Sequence, residues 1–465
     1  MNFNFANYIV KINVKQNNID FNSPLNLNNI ETVSGTGFFI DKNLIITCYH
    51  VIKYSLNIEI VYKTINTYLA KVKYIFPDDD IAVLEIDNEH VLNHQIMDLK
   101  ILKNPPKASK NNIVYTVGFP LSNINIVVNK GIISGFQNSY IQTDATLNPG
   151  NSGGPLVYFN KKQNKYKIIG VNVSKQVGAT NTNFVVPTYR FLILLNKIYN
   201  FNNFNNFNHF KFTNIIYKKT FLLFDYQKLK QPTHREIIFK KNYPELIKKK
   251  IGIIITQLNH NYYLNKYFKI TDILLSINNN CIDYNGFIKF NFFPEKILIS
   301  QLGYWFTEKD ILTFELLSYN DNSYKYKKIN LQLQIINKNL IDYYYLPEYP
   351  EYYINKNNLI FSIITKQHYD DITNLNLTFK QTVNILSRYT NQKDLFTVYL
   401  VNLDNNIYKN NINEDSLKKK FNEYPIGDII IEINDYEFNN YAEYMNIMKN
   451  DIYKIKTINN HIFYL

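Results

Sequence analysis

Cysteine is nearly missing from this chain of 465 residues: only Cys48 and Cys281 occur. Two thiols so far apart give neither a disulfide framework nor the ligand spacing of a structural metal site. Arginine is scarce, and no arginine-rich helix or zinc-finger spacing is present. The formal net charge of +13 is therefore carried by scattered lysines. It reads as a solvated basic surface and not as a nucleic-acid interface. No run of apolar residues is long enough to span a bilayer as a helix. The first ten residues, MNFNFANYIV, lack a charged segment followed by an apolar core, so they do not read as a secretory signal. These absences lead to the expectation of a soluble, intracellular protein of unassigned compartment. Glycine, proline and alanine are also few, while Asn, Lys, Ile, Tyr and Phe abound. That bias reads as coding from an AT-rich genome. With 46 % hydrophobic and 19 % charged residues the balance is that of a globular chain, and the length allows two to four domains.

From about residue 8 to 190 the sequence is a succession of short segments rich in β-branched and aromatic residues. Among them are YIVKINV, GTGFFID, NLIITCYH, AKVKYIF, DIAVLEI, GIISGF and KIIGVNV, separated by Gly, Pro, Asn or Asp. Such spacing predicts a mainly β domain, a barrel or a sandwich. RFLILLNKIYN follows with the periodicity of a helix. Residues 200–210 are the low-complexity run NFNNFNNFNHF, and 201–217 read as a linker. Beyond them, ITDILLSINNNCIDYNGFIKF and IGDIIIEINDYEFNNYAEYMNIM share one local pattern. Each has an Asp, an apolar strand, an Asn-rich turn and a short strand or helix. Asp272-Ile273-Leu274-Leu275 and Asp428-Ile429-Ile430-Ile431 are candidate equivalents, a weak internal repeat of two related modules.

Three segments carry chemistry. Gly150-Asn151-Ser152-Gly153-Gly154 has a potential nucleophile flanked by residues free of Cβ restrictions. Its backbone N–H groups at Gly150 and Ser152 can point into one oxyanion hole. His50 ends the apolar run Ile46-Thr47-Cys48-Tyr49, a rigid support for a general base. Asp78-Asp79-Asp80 precedes Ile81-Ala82-Val83-Leu84. Asp80 enters the strand, so it is the acid expected to be partly buried, and the imidazole N–H would supply the donor a buried carboxylate needs. The chain order His, Asp, Ser matches one arrangement of the serine-protease triad.

Taken together, SGTGFFI, NLIITCYHVI, DDDIAVLEI, YTVGFP, GIISG, IQTDATLNPGNSGGPLV, IIGVNV and FVVPT resemble the HtrA/Deg family of trypsin-like serine proteases, in the family's order. The resemblance implies a chymotrypsin-like double β-barrel over residues 1–200, with His50, Asp80 and Ser152 as triad and the backbone of Gly150 and Ser152 as oxyanion hole. By position, Thr146 would line the primary pocket, and Asn172, Val173 and Ser174 would pair with an extended substrate. A small or medium apolar side chain is the expected preference, since no acid marks the pocket base. Asn151 stands where secreted trypsins carry the Asp that pairs with a new N-terminus, so activation by clipping is not expected. Ordering of loops around the site is the control the resemblance implies. It also implies two PDZ-like α/β modules, at 218–336 and, more divergent, at 350–465. In the first, the carboxylate-binding loop would fall at Phe221-Leu222-Leu223-Phe224, where the usual glycine is missing. Peptide binding and scaffolding both stay open for these modules. A homo-oligomer, a trimer or a multiple of one, is implied, with Phe3, Phe5 and Tyr8 as candidate contacts. The function implied is an endopeptidase acting on unfolded or extended proteins in quality control, with no metal or organic cofactor. The alternative is a non-catalytic chaperone or peptide-binding scaffold that keeps the protease fold.

Overall fold

The computed structural model describes residues 5–17, 30–63, 66–86, 109–175 except 138 and 161–164, and 182–191 except 189. It also describes 215–216, most of 224–332, and separate stretches between 353 and 464. Residues 192–200 of the expected helix, most of the linker 201–217, Phe3 and Phe221–Leu223 lie outside the described residues.

The first sheet contains β1 (Ile9–Asn17), β2 (Ile30–Phe39), β3 (Leu44–Cys48), β4 (Ser55–Tyr62), β5 (Asn66–Phe76) and β6 (Ile81–Ile86), with the one-turn helix α1 (Tyr49–Ile52) after β3. Its strand order is β5-β4-β1-β2-β3-β6, and pairing of β5 with β6 closes the ring. Sequence dictates the placement. From Ile58 on, β4 alternates buried and partly buried residues, so one face packs more deeply into the core. β6, with five of its six residues buried, is held between β3 and β5. Ile45, Ile46, Val83 and Leu84 are 0 % exposed, each contributing about 1.5–3 kcal/mol by burial. β13 (Ile215–Ile216) pairs in parallel with β5.

The second sheet is a closed barrel of β7 (Ile113–Gly118), β8 (Val127–Gln137), β9 (Tyr140–Thr143), β10 (Pro155–Asn160), β11 (Lys165–Lys175) and β12 (Asn183–Pro187), in the order β10-β11-β12-β9-β8-β7. Val114, Ile133, Ile141, Ala145, Leu156, Ile169 and Val185 fill it. The double β-barrel expected from the sequence is thus the observed architecture.

Two further sheets follow. One orders β14 (Phe224–Lys228), β15 (Ile253–Leu258), β16 (Ile273–Ile277), β20 (Ile311–Asn320) and β21 (Ser323–Gln332), with β17 (Asn280–Cys281) paired to β16. β18 (Phe287–Ile288) and β19 (Ile297–Leu298) form a separate pair. Helices α2 (Pro232–Phe239) and α3 (Pro244–Lys249) accompany it. Both begin on proline, whose fixed φ suits the first helical position. Glu245 in the first turn and Lys248 and Lys249 in the last complement the dipole of α3. The last sheet orders β22 (Tyr353–Lys356), β23 (Leu359–Ile363), β24 (Val398–Leu403), β25 (Ile429–Ile433), β27 (Lys454–Thr457) and β28 (Ile462–Tyr464). β26 (Tyr436–Glu437) pairs with β25, and helix α4 spans Tyr441–Ile447.

The suspected internal repeat has a structural counterpart. β16 turns into β17 through Asn278 and Asn279, and β25 turns into β26 through Asn434 and Asp435. All four turn residues have positive φ, as two-residue hairpins of this hand require.

Candidate active site

His50 sits on α1, directly after β3. Its backbone N–H donates to Asp80 Oδ1 at 2.8 Å, and its Nδ1 lies 2.6 Å from Asp80 Oδ2. The Tyr49 N–H donates to the Asp80 carbonyl at 3.1 Å. Three contacts therefore fix one residue against another thirty positions away. Asp80 caps the short 3-10 turn Pro77–Asp79 in the left-handed region, at φ 52°, a conformation aspartate tolerates better than most residues. The carboxylate is mostly buried and the imidazole half-exposed. With Nδ1 committed to Asp80, Nε2 is the nitrogen left for proton transfer. Asp79, the neighbouring acid, is buried and turned elsewhere, onto Arg190.

Ser152 is presented by the loop between β9 and β10. The Ser152 carbonyl accepts from Thr36 N–H at 2.9 Å, and Gly153 N–H donates to Asn172 O at 2.8 Å. Asn172 N–H in turn donates to Gly154 O at 2.8 Å. The approach to the histidine-bearing strand is close enough to dictate residue type. At Gly153, with φ +84°, a Cβ would lie 2.2 Å from Thr36 O, 2.3 Å from Thr47 Oγ1 and 2.9 Å from Cys48 N. The Ser152 hydroxyl donates to Val173 O at 3.2 Å, and the Cys48 thiol, two residues before His50, donates to Asn172 O at 3.1 Å. Strand β11 thus receives the serine at Val173 and the histidine strand at Asn172.

Gly150 has φ +97°. Its peptide planes are held on both sides. The Pro149 carbonyl accepts from Leu121 N–H at 2.6 Å. In a trans peptide the Gly150 N–H must then point the opposite way, away from Leu121. The Gly150 carbonyl accepts from Thr36 Oγ1 at 2.6 Å, and Thr36 Oγ1 itself accepts from Phe119 N–H at 3.0 Å. In the sequence, this role of Thr36 shows only as a hydroxyl placed between two glycines, Gly35 and Gly37. Asn151 is 1 % exposed, and its side-chain amide finds no hydrogen-bond partner among the described residues.

Of the other expected site residues, Thr146 is exposed, and its carbonyl accepts from Thr116 Oγ1 at 3.0 Å and Asn129 Nδ2 at 3.2 Å. Asn172 pairs with Val185 and Ser174 with Phe184, while Val173 falls in the bulge between them. On its other side β11 pairs with β10 only as far as Val171. Phe5 packs edge-on to Tyr166 within its own chain, with centroids 5.6 Å apart. The donor atoms of Cys48, His50 and Asp80 lie within 4.8 Å of one another. Burial, and then the Asp80 charge, push the Cys48 thiol well above its ordinary pKa. It therefore stays a protonated donor rather than a thiolate ligand. No helix among the described residues is long and apolar enough to cross a membrane.

Residues 35–165 match the trypsin-like peptidase domain family. The Serine protease DegP homolog of Plasmodium falciparum is 28 % identical over 245 residues, covering 49 % of this chain and 25 % of that protein. Protease Do-like 4, mitochondrial, of Arabidopsis thaliana is 32 % identical over 165 residues, covering 33 % and 30 %. Serine protease HTRA1B of Danio rerio is 33 % identical over 172 residues, covering 34 % and 33 %. The chain spans between a quarter and a third of the length of these relatives. It carries the trypsin-like serine protease fold of the HtrA/Deg proteases and is related to them.

Proposed function

We propose that the chain is a serine endopeptidase in which Ser152 attacks, His50 moves the proton and Asp80 orients His50. The observation that carries this reading is that Asp80 holds His50 while Cys48, two residues before His50, and Ser152 bond consecutive carbonyls of β11, those of Asn172 and Val173. In the free enzyme the Ser152 hydroxyl donates to Val173 O. An extended substrate that pairs with residues 172–174 offers its own N–H to that carbonyl, which releases the hydroxyl to His50 Nε2. Asn172 is bonded through its N–H and carbonyl to Gly154 and Gly153, so strand addition would use β11 from Val173 onward. The alkoxide forms as His50 takes the proton, and the Gly150 and Ser152 N–H groups receive the negative oxygen of the tetrahedral intermediate. His50 then protonates the leaving amine, and water, activated by the same imidazole, resolves the acyl-enzyme.

The substrate class is an unfolded or extended protein segment, with Thr146 at the mouth of the primary pocket and a small or medium apolar residue in it. Asn151 offers no carboxylate for a new N-terminus to pair with, so control rests on loop order. The two C-terminal sheets are read as PDZ-like modules, the first with a leucine-rich loop in place of the usual glycine. The chain works as a homo-oligomer.

A fluorophosphonate should label Ser152, and the protein should cleave unfolded casein. Ser152→Ala and His50→Ala should abolish both labelling and turnover, while Asp80→Asn should lower turnover by about 10⁴. Binding of unfolded chains without labelling or cleavage by the parent would instead support a chaperone that kept the fold. An Asp80→Asn rate within tenfold of the parent would move the orienting role to another residue.

A further inference from the structure

Arg190 is 0 % exposed, three residues past the end of β12, and its guanidinium pairs with the carboxylate of Asp79, itself 4 % exposed. Its carbon Cζ lies 4.9 Å from the centroid of the Tyr140 ring on β9. A cation and an anion this deep in a protein are costly to bury, and each requires the other. The pair also has a particular address. Asp79 is the residue before Asp80, on the same short turn, and the two acids face opposite ways, one to Arg190 and one to His50. The turn leaves the first barrel at β5 and re-enters it at β6, whereas Arg190 and Tyr140 belong to the second barrel.

We propose that Arg190 and Asp79 are a positioning pair for the site: they fasten the Asp80 turn to the second barrel and cancel the charge that Asp79 would otherwise place beside the Asp80–His50 couple. The proposal rests on the reading of Asp80 and His50 as orienter and base. Three consequences of the geometry support it. Asp80 sits at a left-handed position, where a small rotation of the turn would redirect its carboxylate. An unneutralised Asp79 would be a second buried anion one residue from Asp80. The charges of Arg190, Asp79 and Asp80 all reach the buried Tyr140 hydroxyl, whose pKa burial raises first of all, so the cluster is electrostatically continuous. The donor atoms of Asp80 and Cys48 lie within 4.8 Å of that of His50, and Asp79, one residue before Asp80, pairs with Arg190, which stands over the Tyr140 ring. The thiol and the phenol remain protonated across the range in which an imidazole titrates.

The experiment follows the His50 ring by NMR across pH in the Ser152→Ala protein, with the signal assigned by His50→Gln. Arg190→Met leaves Asp79 uncompensated; an added negative charge favours the imidazolium, and the titration midpoint should rise by about half a pH unit or more. Asp79→Asn leaves Arg190 uncompensated, and the midpoint should fall by about as much. The double variant should return to the parent value. A purely structural pair would leave the midpoint in place in all three, and that result overturns the proposal. Asp79→Asn is nearly isosteric; if Arg190→Met does not fold, an unmoved midpoint in Asp79→Asn overturns it alone. No turnover is measured, so a parent protein without peptidase activity would sink the proposed function and leave this result standing.

Discussion

Thr36 supports the loop of the proposed oxyanion hole through one hydroxyl, which accepts from Phe119 N–H and donates to Gly150 O. Thr36→Val keeps the shape and removes both bonds. The Gly150–Asn151 peptide then loses its anchor, and Gly150 is held from the Pro149 side alone, so the N–H proposed to meet the developing charge is aimed less rigidly. Loss of one such donor costs about 10²–10³ in kcat in other serine proteases, so a mispositioned one should cost about 10–100-fold, with KM little changed. Thr36→Ser should recover most of the loss. Steady-state kinetics on a fluorogenic peptide would test this; a raised KM with unchanged kcat would assign Thr36 to substrate binding. The contrast with Ser152, His50 and Asp80 is instructive. Those three, the proposed triad, stand out in the sequence because each proposed role admits few residue types and each lies in a motif that a strand or turn must present. Thr36 acts on a carbonyl 114 positions away, and Arg190 on an acid more than a hundred away; neither distance leaves a local trace. Arg190 left one faint signal: it is one of only three arginines in a chain whose other strong cations are all lysine.

At the scale of elements, strands and tight turns were readable, because period-two patterns and Asn-rich turns are local. Pairing was less so. The closure of the first barrel by β5 and β6 and the bulge that leaves Val173 O facing Ser152 depend on register, which side-chain pattern alone does not set. The repeated Asp before each apolar strand has a clear physical role in the first module. Asp272 is 0 % exposed and accepts from Lys269 N–H at 2.9 Å and Ser318 Oγ at 2.7 Å. Burial nevertheless dominates and raises its pKa. The raised folded value means that protonation favours the folded state. This contribution is fully present below the unfolded pKa of about 3.9 and is lost as pH rises through the folded value. Asp272→Asn keeps an acceptor without the charge. It should be more stable than the parent at pH 7, with the advantage vanishing below about pH 4. Urea unfolding at several pH values would measure the difference. A penalty at pH 7 as large as that at pH 4 would mean that the second carboxylate oxygen matters more than its charge.

Across the whole chain, the β-rich barrels were legible from strand spacing and motifs, while the buried titrating groups were not. His368 is the clearest of these. It is 1 % exposed, with Nε2 3.4 Å from Ser362 Oγ beside β23, and burial lowers its pKa to about 3. In the unfolded chain the same imidazole titrates near 6.5. Above that value both states are neutral and the burial is free of a proton penalty. As pH falls from about 6.5 towards 3, the unfolded chain takes up a proton that the folded one refuses, and stability is lost across that window. With a formal net charge of +13, acid adds general repulsion as well, so the His368 contribution has to be isolated by difference. His368→Gln removes the titration and keeps a polar amide near Ser362. Thermal unfolding of parent and variant from pH 7.5 to 4 should give curves that converge or cross as pH drops, the parent falling more steeply below about pH 6.5. Parallel curves over the whole range would show that the imidazole is already able to charge in the folded state, and the account of its burial would fail.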